Sequence, residues 1–303
     1  MTTAFLFPGL DALRRAEDLA ALHTLPEFAS RWQVLGAALQ EDARAHVAAA
    51  LRERRLAALF ARESIVGGAL AIVALQTASA AALERLGCRA HWVCGYSLGD
   101  VARAAHARCF SLEALADFVR ALPRELPFAE GVTMAATSIG DADELAAASA
   151  GLAAAGLAVS RLSPRLLTFA GPRASAEDAA RVLRSRRWRT RELIGCVLHA
   201  PEQSGLATLL RAALLGRTLA APDRAMESAV LGASIVSAAM LREELAVNAR
   251  APCDFASAIE RLRTVHGVTR FIDIGPGRSA QRLLRHFDPP LEASSALDIL
   301  ASA

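Results

Sequence analysis

Trp92-Val-Cys-Gly-Tyr-Ser-Leu-Gly-Asp100 carries a short apolar run into Gly-x-Ser-x-Gly, and a helix-like stretch follows at once. This is the layout of a nucleophile elbow, a sharp strand-to-helix turn that strains the backbone at the serine. Gly95 and Gly99 lack the side chains that would collide as strand and helix close together. Ser97 Oγ is thereby expected to stand clear of the sheet. The first peptide N–H groups of the following helix, that of Leu98 foremost, aim at the same spot with the positive end of the helix dipole. An oxyanion formed on an acyl group is stabilised in such a place. Gly-x-Ser-x-Gly also arises in ordinary Gly/Ser turns, so the rest of the chain decides between the two readings.

Composition sets the frame. The 303 residues suffice for one large domain, or for a large domain with a smaller insert, and 53% apolar content points to a globular fold. All 34 basic residues are arginines, and the net charge of +3 is spread out, which argues against nucleic-acid binding. The exception is the arginine-rich run Arg181 to Arg191, expected to be a solvated helix end and turn, or a basic patch that meets an acidic carrier protein or a phosphate-bearing ligand. Five scattered cysteines without Cys-x-x-Cys spacing read as buried thiols. The start of the chain lacks the pattern of a signal peptide, and no stretch approaches about 18 uninterrupted apolar residues. A cytoplasmic protein with no membrane partner is expected. No His/Cys/Asp/Glu cluster has ligand spacing, so no metal site is expected.

Taken in order, Thr3 to Phe7 reads as a buried strand stopped by Pro8-Gly9, with Leu10-Asp11 opening a helical segment. Residues 12 to 62 read as several amphipathic helices. Ser64 to Leu86 reads as a long helix apolar nearly all round, the pattern of a buried element. The strand at His91 to Cys94, the elbow and a helix to about Ala107 come next, then a helix from Ser111 to Ala121 stopped by Pro123. Strands at Val132–Ala136, Ala158–Leu162, Leu166–Ala170 and Glu192–Val197 are separated by helices over Asp141–Ala155 and Ser175–Arg184. That βαββαβ order predicts a small ferredoxin-like subdomain. Helices follow at Glu202–Leu215, Ala239–Leu245 and Asp254–Val265, then a strand at Arg270–Ile274 and the turn Gly275-Pro-Gly277. The last ten residues or so read as loosely held.

Four stretches in this order, Phe5-Leu-Phe-Pro-Gly9, Gly95-Tyr-Ser-Leu-Gly-Asp100, Leu198-His-Ala-Pro201 and Ile274-Gly-Pro-Gly277, span almost the whole chain. Together they resemble the motifs of the malonyl-CoA:acyl carrier protein transacylases and the acyltransferase domains of polyketide synthases. The resemblance implies an α/β fold: an α/β-hydrolase-like large subdomain (1–131 and 198–303) with an inserted ferredoxin-like small subdomain (132–197). It implies a cleft between the two in which Ser97 attacks a thioester and His199 takes and returns its proton. It also implies that Asn248 orients the imidazole and that the N–H groups of Leu10 and Leu98 form the oxyanion hole. The alternatives are a satisfied strand-end histidine at His199, disfavoured because of the seven histidines it alone stands in the right motif, and a simple cap at Asn248; His91 and His106, flanking the elbow, read as local packing or surface.

The departures from the family pattern bear on the substrate. Malonyl-handling members carry an arginine that pairs with the free carboxylate, 25 residues after the serine, and an ungapped count from Ser97 reaches Leu122. A leucine cannot hold a carboxylate, and burying that charge unpaired is costly. Gly67-Gly68 stands for a Gln-Pro pair, Leu10 for a glutamine, Leu198 precedes the histidine, and Tyr96 replaces the family's histidine beside the nucleophile. The expectation is an apolar acyl pocket shaped by Leu122, Tyr96, Leu198 and Gly67. The first functional reading is a discrete acyltransferase that takes an uncharged acyl group from CoA or 4'-phosphopantetheine thioesters, with no bound cofactor and an acyl carrier protein as partner. The alternatives are an acyl hydrolase with the same residues and water as acceptor, and a carrier-protein docking protein without chemistry.

Overall fold

The computed structural model describes residues 1–10, 25–53, 59, 64–140 and 142–303. The expected helix opening at Asp11 and part of the helical stretch 12–62 lie outside the described residues; within that stretch, α1 (Pro26–Gly36) and α2 (Glu41–Arg52) are present.

The larger of two sheets is built on β1 (Thr3–Phe7), flanked by β2 (Trp92–Gly95) and β9 (Arg270–Asp273). Both pair with it in parallel, Phe5 opposite Val93 and Ile272. β7 (Ala225–Ser228) and β8 (Ser234–Ile235) extend the β2 side, and β10 (Ala293–Ser295) lies outside β9. A sheet covered on both faces must be apolar on both, and β1 is buried at every residue. Because side chains alternate along a strand, Phe5 and Phe7 face one core with α3 (Ile65–Arg85), while Ala4 and Leu6 face another with α10 (Phe255–Thr264) and α11 (Ser279–Leu284). Helix α3 is apolar all round because it is enclosed all round, so its hydropathy reflects a core position. Among the described residues it is the helix long and apolar enough to cross a membrane, and 83% of its most apolar window is buried inside the protein.

The second sheet has the order β4-β5-β3-β6, from β3 (Val132–Thr137), β4 (Ala158–Ser163), β5 (Leu166–Gly171) and β6 (Arg189–Ile194), with every neighbouring pair antiparallel. Helices α6 (Ala142–Ala154) and α7 (Arg173–Ser185) connect β3 to β4 and β5 to β6, and pack their apolar residues on one face of the sheet. This is the split βαβ arrangement of a ferredoxin-like unit. The fold is thus α/β, a large subdomain carrying a small one. Arg161 of β4 ties the two together: its guanidinium donates to both carboxylate oxygens of Asp254 (3.1 and 3.0 Å), and its N–H to the Cys253 carbonyl (2.8 Å).

Three expectations are corrected. The last strand of the small unit is Arg189–Ile194, upstream of the expected Glu192–Val197. It is an edge strand, so arginines stand along it without a burial penalty, and the apolar run that follows leaves the sheet. The arginine-rich run therefore spans the end of α7, a turn and an edge strand, with Arg181 paired to Asp178 (2.7 Å). The chain end is not loose, because β10 pairs with β9 and α12 (Ala296–Ala301) buries Ala296 and Leu297. Strand β7 was not legible in the sequence since it holds a buried charge, Glu227, which accepts from Arg261 Nε (2.6 Å) and Ser234 Oγ (2.8 Å). Of the cysteines, Cys94, Cys109, Cys196 and Cys253 are buried and Cys88 is half-buried; all five are free thiols.

Candidate active site

Ser97 stands between β2 and α4 (Gly99–His106) at φ +57°, the left-handed region that non-glycine residues adopt only when their surroundings enforce it. The surroundings here are backbone. A Cβ on Gly99 would lie 1.8 Å from the Phe7 carbonyl oxygen, and one on Gly9 would lie 2.9 Å from Ser97 Cβ. The elbow and the turn after β1 are therefore in contact through two glycines, and no larger residue fits at Gly99. The first turn is held from two more sides. Gln76 of α3 donates from Nε2 to the Pro8 carbonyl (2.7 Å), and Gly275 sits where a Cβ would meet Pro8 Cγ at 2.6 Å. The Gly275-Pro-Gly277 turn, whose Gly275 N–H donates to Asp273 (2.8 Å), is thus a buttress.

His199 arrives on the segment that returns from the small subdomain. Thr133 Oγ1 donates to the Cys196 carbonyl (2.8 Å) and accepts from the Leu198 N–H (2.9 Å), and the His199 N–H donates to the Ala249 carbonyl (2.7 Å). His199 itself adopts φ +56°, so the two residues singled out by motif both sit in the left-handed region. Its Nδ1 lies 2.8 Å from the Asn248 carbonyl oxygen, at the end of α9 (Ala238–Val247). That contact requires the proton on Nδ1 and leaves Nε2 as the basic nitrogen. Burial pushes the imidazole below its usual range, against the opposing pull of the Asn248 carbonyl and of Asp100. The ring is therefore neutral at neutral pH.

Ser97, His199, Asn248, Leu10, Leu98 and Leu198 line one cavity of about 220 Å³. The remaining lining is apolar, from α3, α4, α5 (Leu112–Arg120) and the segment after it, with Leu206 and Ala249. Among the described residues that line it, no side chain is charged. Leu98 caps α4, and the N–H groups of Gly99, Asp100 and Val101 donate to the Tyr96, Ser97 and Leu98 carbonyls (3.0, 3.1 and 3.0 Å), which leaves the Leu98 N–H as the elbow's candidate oxyanion donor.

The other three pocket residues expected from the sequence lie elsewhere. Leu122 comes after α5 has ended, its N–H turned back to the Val119 carbonyl (3.0 Å), and the cavity wall at this point is made by Val119, Leu126 and Phe128. An ungapped count cannot follow the chain through that turn. Arg120 pairs with Asp117, and Arg124 lies 3.6 Å from Asp42 at 81% exposure. Tyr96 alternates with Ser97 and points to the opposite side of the sheet, its ring 4.8 Å from Phe255. Gly67 and Gly68 do not enlarge the cavity. Cβ atoms there would lie 2.6 Å from Val47 Cγ2 and 2.2 Å from the Leu59 carbonyl oxygen, so neighbouring chain fills the vacated volume. Nor do the flanking histidines reach the site. His91 Nδ1 accepts from the Thr3 N–H (3.1 Å), and His106 is buried beside Arg224, burial holding its pKa down to about 3.

A buried ionic chain behind His199 was missed by sequence reasoning. Asp100 accepts from Asn248 Nδ2 (2.6 Å) through one oxygen and from Arg103 Nε (2.8 Å) through the other. Arg103, fully buried, also donates to Glu244 and to the Glu227 carbonyl (3.1 Å). The sequence carries a faint sign of it, Asp100 and Arg103 three apart on one helix, but Glu244 is brought in only by the fold. Among the described residues, no three His, Cys, Asp or Glu side chains are grouped to hold a metal ion.

No family model matches the sequence. The polyketide synthase GfsB of Streptomyces halstedii is 32% identical over 213 residues, 68% of this chain but only 4% of that protein. Among solved structures, the acyltransferase domain from the second module of the salinomycin polyketide synthase aligns with 97% of this chain and 68% of its own at 26% identity and TM-score 0.74. The acyl-carrier-protein S-malonyltransferase of Burkholderia pseudomallei aligns over 100% of both chains at 22% identity and TM-score 0.81. The chain belongs to the malonyl-CoA:acyl carrier protein transacylase and polyketide synthase acyltransferase family. As a divergent transacylase-family chain it keeps serine, histidine and both glycine turns, while its described cavity wall is uncharged.

Proposed function

We propose that this protein is an acyltransferase that moves an uncharged acyl group between CoA and acyl carrier protein thioesters through an acyl-Ser97 ester. The observation that carries the reading is Ser97 and His199 together in a cavity with no charge on its described walls. A malonyl carboxylate placed there would lose its hydration without gaining a cation, which is several kcal/mol unfavourable.

In the reaction, Ser97 Oγ bonds to the thioester carbonyl carbon while His199 Nε2 takes its proton. The oxyanion is met by the N–H groups of Leu98 and Leu10. The C–S bond then breaks, and His199 returns the proton to the leaving thiol. The second half runs in reverse, with the carrier's phosphopantetheine thiol giving its proton to His199 and the acyl group passing from Ser97 Oγ to sulfur.

Intact-protein mass spectrometry after mixing with a panel of acyl-CoA donors tests this. Uncharged donors are expected to leave an adduct that is discharged onto holo-carrier protein, and malonyl-CoA to label at least tenfold more slowly. An adduct lost to free acid without a carrier would make the protein a hydrolase, and preferential malonyl labelling would overturn the reading of the cavity.

The pH profile of adduct formation has a fixed sign. His199 must be neutral to accept the proton, and burial depresses its pKa, so the acid limb is expected below pH 6.5. For stability, the unfolded chain binds this proton at a higher pH than the folded one. The contribution is therefore present above 6.5 and is lost as pH falls through the folded value. An acid limb centred above pH 7 would contradict the neutral buried imidazole.

A further inference from the structure

Beyond the Ser97 cavity lies a second one of about 110 Å³, and the two share Val101, Leu115 and Phe118 as a common wall. The second is lined chiefly by Phe110, Leu210, Leu214 and Leu245, contributed by the segment before α5, by α8 (Ser204–Leu215) and by α9. Its polar members are Thr218, which is exposed, and Arg217, whose guanidinium donates to the Asp117 carbonyl (3.2 Å). Apolar walls of this kind gain nothing from a polar occupant, and an alkyl chain is the matching ligand.

We propose that the distal part of the acyl chain on Ser97 passes Val101, Leu115 and Phe118 and lodges in this second cavity, so that the enzyme selects linear acyl chains of about eight carbons or more. The proposal rests on the reading of Ser97 as the acyl carrier and names the acyl class it takes. Two observations support it. The same three side chains line both cavities, and Phe118 among them is half-buried. The reach also fits. Val101 is four residues beyond Ser97, in the first turn of α4, and the Asp100 N–H donates back to the Ser97 carbonyl (3.1 Å), so about one turn of chain, about 6 Å, separates the two. An extended chain advances about 1.2 Å per bond, so about five bonds bring an acyl chain to the wall. Butyryl stops short of it; decanoyl crosses it with several methylenes to spare. Each methylene so buried is expected to favour binding about fourfold.

The test fills the second cavity from its own lining. Ala114→Trp inserts an indole from the half-buried face of α5, and Leu219→Trp does so from the opposite wall, so failure of one variant to fold does not silence the other. The readout is the ratio of decanoyl to butyryl adduct formed on Ser97, by intact mass. Wild type is expected to favour decanoyl, and the ratio to fall at least tenfold in either variant. A ratio unchanged in both folded variants would overturn the proposal. Should no uncharged donor acylate the wild type, the transferase reading fails by itself. The cavity is then read by calorimetry on Ser97→Ala, where decanoyl-CoA must bind at least tenfold tighter than butyryl-CoA and lose that margin with Ala114→Trp. Equal binding of the two thioesters would refute it.

Discussion

Ser97→Ala is expected to leave no acyl adduct and to lower carrier acylation by at least about 10³-fold, with the fold intact. The hydroxyl is the atom that bonds to the acyl carbon; the oxyanion donors and the cavity remain, so residual catalysis reflects binding and orientation alone. The variant should not relieve the elbow. Alanine carries the same Cβ as serine, and the left-handed backbone at φ +57° disfavours it by about 1–2 kcal/mol. Ser97→Gly is equally inactive but free of that penalty, and is expected to be about 1 kcal/mol more stable than Ser97→Ala after its larger unfolded-state entropy is allowed for. Mass spectrometry reads the first claim and thermal melting the second. An alanine variant that still accumulates adduct would move the nucleophile elsewhere. Equal melting of the two variants would mean that the elbow is not strained.

Arg103→Leu is expected to destabilise the protein by about 3–5 kcal/mol, the usual result of removing one partner from a buried ion pair. Asp100 and Glu244, both fully buried, would face each other without the guanidinium that now lies between them. At about 2–4 °C per kcal/mol for a chain of this size, melting should fall by roughly 10 °C. The loss should also depend on pH. Burial pushes the Glu244 carboxyl above its usual 4.5, Arg103 pulls it back, and Asp100 pushes it up again. An acid with a raised folded pKa binds more protons folded than unfolded, so its contribution falls as pH climbs from 4.5 through the folded value. Without Arg103 the carboxyl rises further, and the gap between wild type and variant should be wider at pH 8 than at pH 5. The effect on activity follows through Asn248, which Asp100 holds and whose carbonyl holds His199. A variant that melts like the wild type at both pH values would show that the buried chain contributes nothing to the native state.

Much of the site was legible because its motifs are local. Gly-x-Ser-x-Gly needs only that a strand meet a helix with no Cβ in the way, and Gly95 and Gly99 write that requirement into five consecutive residues. A short apolar run stopped by Pro8-Gly9 marked β1 in the same local manner. The acyl pocket was not legible, because its walls come from segments whose relative placement depends on where a helix stops. α5 ends at Arg120, the chain turns at Pro123, and Leu126 and Phe128 take the place that counting assigned to Leu122. Gly67 and Gly68 read as open volume, yet the absent side chains admit Val47 and the Leu59 backbone. Whether a small residue leaves a cavity or a close contact depends on what packs opposite it.

The amino-acid sequence by itself determined the family, the α/β class with its inserted βαββαβ unit, and the candidate pair Ser97 and His199, since each rests on short-range pattern and on motif order. The tertiary structure alone decided that Asp100 holds the Asn248 side chain, that Asp100, Arg103 and Glu244 form one buried ionic chain, and that a second apolar cavity adjoins the first. These join residues up to about a hundred and fifty positions apart. A charge, an unpaired carbonyl or a void acquires its meaning only from the groups that folding brings within a few ångströms of it.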